Sequence, residues 1–519
     1  MLFNTYLFIF AFLPLTLIGY YALSGLGQRV AYTWLVVASL FFYGWWNVSY
    51  LVLILTSIGI NYCLGYYITV HLQNKDRYKK YAFIFGVFFN LSLLGYFKYS
   101  GMAIDIINHL FAANLSLGTV VLPLAISFFT FQQISFLADS YSGIAREYRF
   151  INYMLFVTFF PQLIAGPIVH HKEMMPQFES PDSQKFKSNN LAIGVMIFSI
   201  GLFKKVMLAD ELGRFATPVF NAASGGEIIG FYSAWVGVLS YGFQIYFDFS
   251  GYSDMAIGLA RMFGIRLPLN FFSPYKAVNV IEFWQRWHIT LSRFLHDYLF
   301  WPLFYLPLGI SRRHPLRRHI NLMVTMLLGG LWHGAGFQFV IWGGLHGSYL
   351  VINHFWHDLK SRIWGSNLPK FPGTRLMGTA ITFISVMVAW VFFRAENVDS
   401  AFRILMGLSG GNGYQFPITW VPLLGNSFSD SHFESLAVFD GVMEIILLGI
   451  SMLIVWSLPN TCEVMSRYDP VVGSVPETRR KRFVFCWQPN FIWGMVWGFL
   501  LVCSLMFMDK VTEFLYYQF

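Results

Sequence analysis

Twelve apolar runs, most of them close to twenty residues long, divide this chain: 3–24, 30–47, 50–70, 80–98, 118–138, 190–207, 229–247, 319–333, 335–356, 377–394, 440–458 and 490–508. A helix needs about 20 such residues to cross the hydrocarbon of a bilayer. There, every backbone N–H and C=O must be satisfied within the segment, so only helices and closed barrels survive. The expected fold is all-α: a polytopic membrane protein of about twelve transmembrane helices, in one membrane-embedded domain over residues 1–519. Only 12% of the residues are charged, about half the share of a soluble domain. Three further apolar pieces, 151–168, 250–262 and 297–310, are short or broken by Pro and Gly. They read as re-entrant or interfacial helices, which need protein or a watery cavity around them.

The net charge of +9 lies in short runs between the apolar segments: Lys75 to Lys80, Arg312 to Arg318, Lys360 to Arg375 and Arg479 to Arg482. The positive-inside rule produces this pattern without nucleic acid, so no nucleic-acid partner is expected. Placing each run in the cytoplasm lets the twelve spans alternate and leaves both termini outside. The loop 395–439 is acidic instead, through Glu396, Asp399, Asp430 and Glu434, and is expected to dock a partner or simply to be solvated. The N-terminal run lacks a basic n-region and reads as a retained first span. Cys63, Cys462, Cys486 and Cys503 form no CxxC or metal-ligand spacing, so neither a metal nor a disulfide framework is expected. No internal repeat and no Walker-type GxxxxGK[ST] is found.

Polar groups at membrane depth are costly and tend to mark function. Four clusters stand out. FFPQLIAGPIVHH (159–171) breaks a helix with Pro161, Gly166 and Pro167 and is expected to line a cavity. YFDFSGYSDMAIGLARMFG (246–264) carries Asp248 and Asp254. Six residues place them about 240° apart on a helix, against a paired acid/base device; capping near Gly251 or pairing with Arg261 is the expected role. EFWQRWHITLSRFLHDYLF (282–300) reads as an amphipathic interfacial helix with His288 on its apolar side. A histidine so placed is ordinarily a hydrogen-bonded core residue.

The fourth cluster is GGLWHGAGFQFVIWGGLHG (329–347), which holds His333 and His346 and no Asp, Glu, Lys or Arg. The glycines after His333 predict a helix end there. A neutral aromatic setting favours uncharged imidazole, the form able to take a proton. Thirteen residues separate His346 from His333, so the two are expected to have separate roles, His346 as an interhelical hydrogen bond. Spacing alone leaves open whether His333 is a general base or a structural residue.

These clusters, with VFFRAENVDSA (391–401), resemble the membrane-bound O-acyltransferases, in the branch of the bacterial alginate O-acetyltransferases. FWQRWHITLS together with LWHGA carries most of the specificity, and the resemblance runs nearly the whole length. It implies a ring of helices around a thin centre with a cytoplasmic funnel, and a catalytic region over about 159–347. It implies His333 as the catalytic histidine and His288 as the second histidine of the site. Trp287, Arg286, Arg293 and Trp332 flank them and are the candidates for holding the donor. The implied chemistry is acetyl transfer from a cytoplasmic thioester such as acetyl-CoA, a co-substrate rather than a bound cofactor. The acetyl group would cross the inner membrane for O-acetylation of an exopolysaccharide, directly or through a periplasmic acetyltransferase partner. Alternatives are O-acetylation of peptidoglycan or cellulose, D-alanylation of teichoic acid, and a non-enzymatic polysaccharide transporter.

Overall fold

A computed structural model describes residues 1–519 except 73–74, 119, 148, 308, 365–372, 421–438, 474–484, 509–514 and 516–519. The basic run Arg479–Arg482, Lys370, and the acidic Asp430 and Glu434 of the loop 395–439 lie outside the described residues. The described chain is helical, with one isolated β-bridge, Pro268 to Val472.

Each of the twelve apolar runs overlaps a helix, though 118–138 only from Ile126 onward, and four of the described helices are long and apolar enough to cross a membrane: Ser49–Val70, Asp76–Phe111, Ser188–Ser224 and Thr374–Arg394. Phe8–Ser24, Met443–Ser457 and Phe491–Met506 are apolar and shorter. The helices carry large apolar side chains outward, among them Val52, Phe85, Phe88, Ile381, Leu453 and Phe499, as a lipid-facing surface requires.

The chain forms two compact units. The first comprises Met1–Phe203, Gly251–Asn270 and Thr461–Gln518. Within it Asn61 and Asn90, both fully buried, exchange amide hydrogen bonds between two of the long helices at 2.6 and 3.2 Å, a polar tie of the kind apolar surroundings favour. The segment 159–171 is broken, but first at Phe159, with Pro161 inside the short helix Phe160–Leu163, and again after it, where Gly166 and Pro167 lie; it is buried throughout. Side chains satisfy the freed backbone: Gln162 Nε2 donates to the Phe156 carbonyl (2.7 Å), and Phe160 N–H donates to Ser39 Oγ (3.1 Å).

The second unit comprises Lys204–Ser250 and Phe271–Asn460. At its heart is an antiparallel helical hairpin, Pro315–His333 and Phe337–Trp364. Glycines let the two backbones touch. A Cβ on Gly330 would fall inside the contact shell of the Phe339 carbonyl, and one on Gly343 inside that of Met326. Gly330→Ala is therefore expected to cost about 1–3 kcal/mol through backbone displacement. Gly449→Ala, where a helical glycine has nothing within 4 Å, is expected to be neutral or stabilising. Thermal unfolding in detergent compares them, and equal effects would refute close packing as the reason for Gly330.

Two local expectations are corrected. Residues 250–262 are not a separate short helix: Phe231–Met262 is one helix of 32 residues that runs straight through Gly251. Asp248 and Asp254 therefore lie inside this helix and not at an end of it. Asp248 pairs with Lys205 at 2.7 Å, Asp254 accepts from Thr461 Oγ1 at 2.6 Å, and Arg261 donates to the Tyr468 carbonyl at 3.4 Å. Residues 282–300 are likewise not one amphipathic helix. Val280–Trp284 and Ile289–Leu295 are separated by His288, whose φ of 41° is left-handed.

Candidate functional site

The first helix of the hairpin ends at His333, and Gly334 continues in extended backbone. A side chain on Gly334 would run into the Phe339 ring, so the chain can turn here only around glycine. The His333 side chain is thereby delivered into the unit's interior, where 5% of the residue stays exposed. Its ring stands edge-on to three others: Trp332 at 4.7 Å, Phe393 at 4.9 Å and Trp342 at 5.0 Å. In its neutral form, an imidazole in this place can take a proton from a bound hydroxyl.

Trp342 also touches His346, at 4.9 Å. His346 is fully buried, and Trp284 Nε1–H donates to its Nδ1 at 3.3 Å. That bond ties Phe337–Trp364 to Val280–Trp284 and is the interhelical bond the sequence suggested. The two histidines are closer neighbours than their spacing implied, because one indole lies against both rings.

His288 is 1% exposed. Its left-handed backbone aims the ring into a different part of the same aromatic network, edge-on to Phe249 at 4.8 Å and stacked on Phe271 at 6.3 Å. Burial pushes its imidazole well below the usual histidine range, to about 3, so this ring is neutral near pH 7. A run of ring contacts joins the two histidines: His288 to Phe271, Phe271 to Trp287 (5.1 Å), Trp287 to Trp390 (5.0 Å), Trp390 to Phe393 (5.2 Å), and Phe393 to His333.

The four flanking candidates fare differently. Trp287 and Trp332 are buried walls of this network. Arg286 is engaged with its own fold, paired with Glu282 and donating to the Phe272 carbonyl at 3.2 Å. Arg293 is half-buried on Ile289–Leu295.

The spacing argument missed Trp342, Trp390, Phe393 and Tyr275. Tyr275 Oη donates to the Gly242 carbonyl (2.5 Å) and accepts from Trp390 Nε1–H (3.2 Å), and Trp456 Nε1–H donates to the Tyr275 carbonyl (3.0 Å). One phenol thus fixes the indole at the middle of the network. Trp342, Trp390 and Phe393 lie in or beside the quoted segments, but a buried aromatic residue in an apolar helix has no spacing that marks it.

Residues 139–394 match the membrane-bound O-acyltransferase family, a span that contains both His288 and His333. The chain is 45% identical over 440 residues to a peptidoglycan O-acetyltransferase of Helicobacter pylori, covering 80% of each chain. It is 40% identical over 413 residues to a probable alginate O-acetylase AlgI of Pseudomonas aeruginosa, covering 78% of this chain and 74% of that one. With a teichoic acid D-alanyltransferase of Streptococcus thermophilus the identity is 29% over 280 residues, 52% of this chain and 68% of the relative.

Proposed function

Since the chain belongs to the membrane-bound O-acyltransferase family, we propose that it takes an acetyl group from a cytoplasmic thioester and delivers it to a hydroxyl of a polysaccharide beyond the inner membrane. It is a multi-pass membrane enzyme, an O-acyltransferase, which sets the transporter reading aside. The observation that carries the proposal is His333, buried among neutral rings at a glycine-made helix end.

In the proposed reaction a His333 ring nitrogen accepts the proton of the attacking hydroxyl. The hydroxyl oxygen bonds to the thioester carbonyl carbon, and the carbonyl electron pair moves onto its oxygen. That oxyanion collapses, the carbon–sulfur bond breaks, and the imidazolium returns its proton to the departing thiolate. His288 orients donor or acceptor from the other side of the ring network. The donor is a coenzyme A thioester. Twelve crossings, with the basic loops in the cytoplasm and both termini outside, give donor and acceptor access from opposite faces.

Peptidoglycan is the acceptor this reading favours, supported by the relative at 45% identity over 80% of both chains. An exopolysaccharide such as alginate is the second reading, supported at 40%. In both, the acetyl group passes to the polymer directly or through a periplasmic partner. The test uses purified protein in nanodiscs with acetyl-labelled coenzyme A, offered peptidoglycan strands or a uronate polymer, with and without periplasmic extract. Ester-linked label on the peptidoglycan is expected. Label only on the uronate would select the second reading, and label that never leaves the donor would overturn both.

A further inference from the structure

Two nitrogens in the ring cluster around His333 are buried donors that have no acceptor among the described residues: His346 Nε2 and Trp342 Nε1. The state of the first follows from its other nitrogen. Trp284 Nε1–H donates to His346 Nδ1 at 3.3 Å. An indole nitrogen can only donate, so Nδ1 keeps its lone pair. The imidazole is therefore neutral and carries its proton on Nε2. His346 is fully buried and Trp342 is 1% exposed, so neither N–H reaches solvent. Neighbouring indoles are satisfied: Trp390 Nε1–H donates to Tyr275 Oη, and Trp456 Nε1–H to the Tyr275 carbonyl.

Buried donors left unpaired cost stability, and a native fold pairs nearly all of them. These two sit four residues apart on the Phe337–Trp364 helix and so share one face of it. Their rings are 4.9 Å apart, and the Trp342 ring is 5.0 Å from His333. That separation permits one oxygen to lie about 3 Å from both nitrogens. Both donors are held in place. Trp342 packs against Trp284, Trp390 and Phe393, at 6.0, 6.1 and 5.2 Å, and His346 is tied by its bond from Trp284.

We propose that His346 Nε2–H and Trp342 Nε1–H hold the carbonyl oxygen of the acyl donor and stabilise the oxyanion formed when the acceptor hydroxyl attacks. The proposal rests on the acyl-transfer reading. As His333 takes the hydroxyl proton, the carbonyl electron pair moves onto its oxygen, and the two N–H groups donate to the charge that develops there. Neither proton is transferred. When the carbon–sulfur bond breaks, the pair returns to the carbonyl and both donors are as they began. Fixed donors in a water-excluded place act most strongly on charge that appears only in the transition state. Trp284 is then a positioning residue, which acts by fixing the His346 tautomer.

Pure packing is the competing account, and the test separates the two with full-length protein in nanodiscs. Trp342→Phe and His346→Phe each keep an aromatic ring and remove one donor. Each is expected to lower kcat for transfer from acetyl-CoA about 10²–10³-fold, with KM for the donor little changed. Trp284→Phe is expected to lose less, and to lose nothing further once His346→Phe is present, because it acts through that ring. A second measurement needs no turnover. In the His333→Phe protein, the carbonyl stretch of bound ¹³C-acetyl-CoA is expected to fall to lower frequency, and adding Trp342→Phe or His346→Phe is expected to remove part of that fall. Packing alone would shift the melting temperature and leave this band in place. S-ethyl-coenzyme A, a thioether with no carbonyl, is expected to bind wild type and Trp342→Phe alike. Wild-type kcat in both single variants, or an unshifted carbonyl band in folded His333→Phe protein, overturns the assignment and leaves acyl transfer standing. A wild type that transfers acetyl from no thioester sinks the transferase reading, and this assignment with it.

Discussion

His333→Ala is expected to lower acetyl transfer by about 10²–10⁴-fold in a protein that still folds. The ring touches Trp332, Trp342 and Phe393, so truncating it leaves an apolar hollow, and some stability is lost with it. The comparison that isolates chemistry from packing is His333→Phe. It refills the hollow with a ring that cannot take a proton. Both variants are expected to bind donor, to melt as cooperative units, and to fail at transfer. If His333→Phe retained wild-type turnover, the proton acceptor would lie elsewhere, and the aromatic enclosure of His333 would be packing alone.

Lys205→Met is expected to be the most destabilising single change outside that site. Lys205 is 4% exposed, with Asp210 at 2.8 Å and Asp248 at 2.7 Å. Removing the cation leaves two carboxylates without it in an apolar interior. Breaking a buried pair in this way costs about 3–5 kcal/mol. The triple variant Lys205→Met, Asp210→Asn, Asp248→Asn removes the charges together and is expected to recover much of the loss. Replacing a whole buried ion group with neutral side chains is often close to neutral. Thermal unfolding in one detergent measures both. If the single and triple variants melted alike, the three charges would not be coupled, and the ion group would be incidental to the fold.

Much of the reading from sequence depended on signals that are local. The helix end at His333 was legible because glycine follows at once and a helix cannot hold a side chain where the Phe339 ring must pass. The bond to His346 was legible because imidazole in a neutral apolar helix needs a partner. Local signals misled where one residue type has two uses. Gly251 looked like a break, yet the helix runs through it because Gly201 and Gly251 pack backbone to backbone: a Cβ on Gly201 would crowd the Gly251 carbonyl. Glycine in an apolar helix marks close approach as often as an end. Residues 282–300 kept a helical pattern of polar and apolar positions, and His288 still left the helix. Its left-handed backbone places the ring against Phe249 and Phe271, contacts that no local pattern reveals.

The sequence by itself determined the solvent in which this chain folds and the places where helices lie. Those follow from hydrophobic length and from the need to satisfy the backbone in lipid, which act within twenty residues. It also marked His333, through its neighbours. Only the tertiary structure decided which rings enclose that histidine, that Lys205 neutralises Asp248 across 43 positions of sequence (248 minus 205), and that arginines and arenes of 301–318 close around one hollow with Asp358. These depend on contacts between distant segments, and in an apolar chain every such contact is made from the same few residue types. Hydrophobic pattern says that a side chain is buried; packing alone says against what.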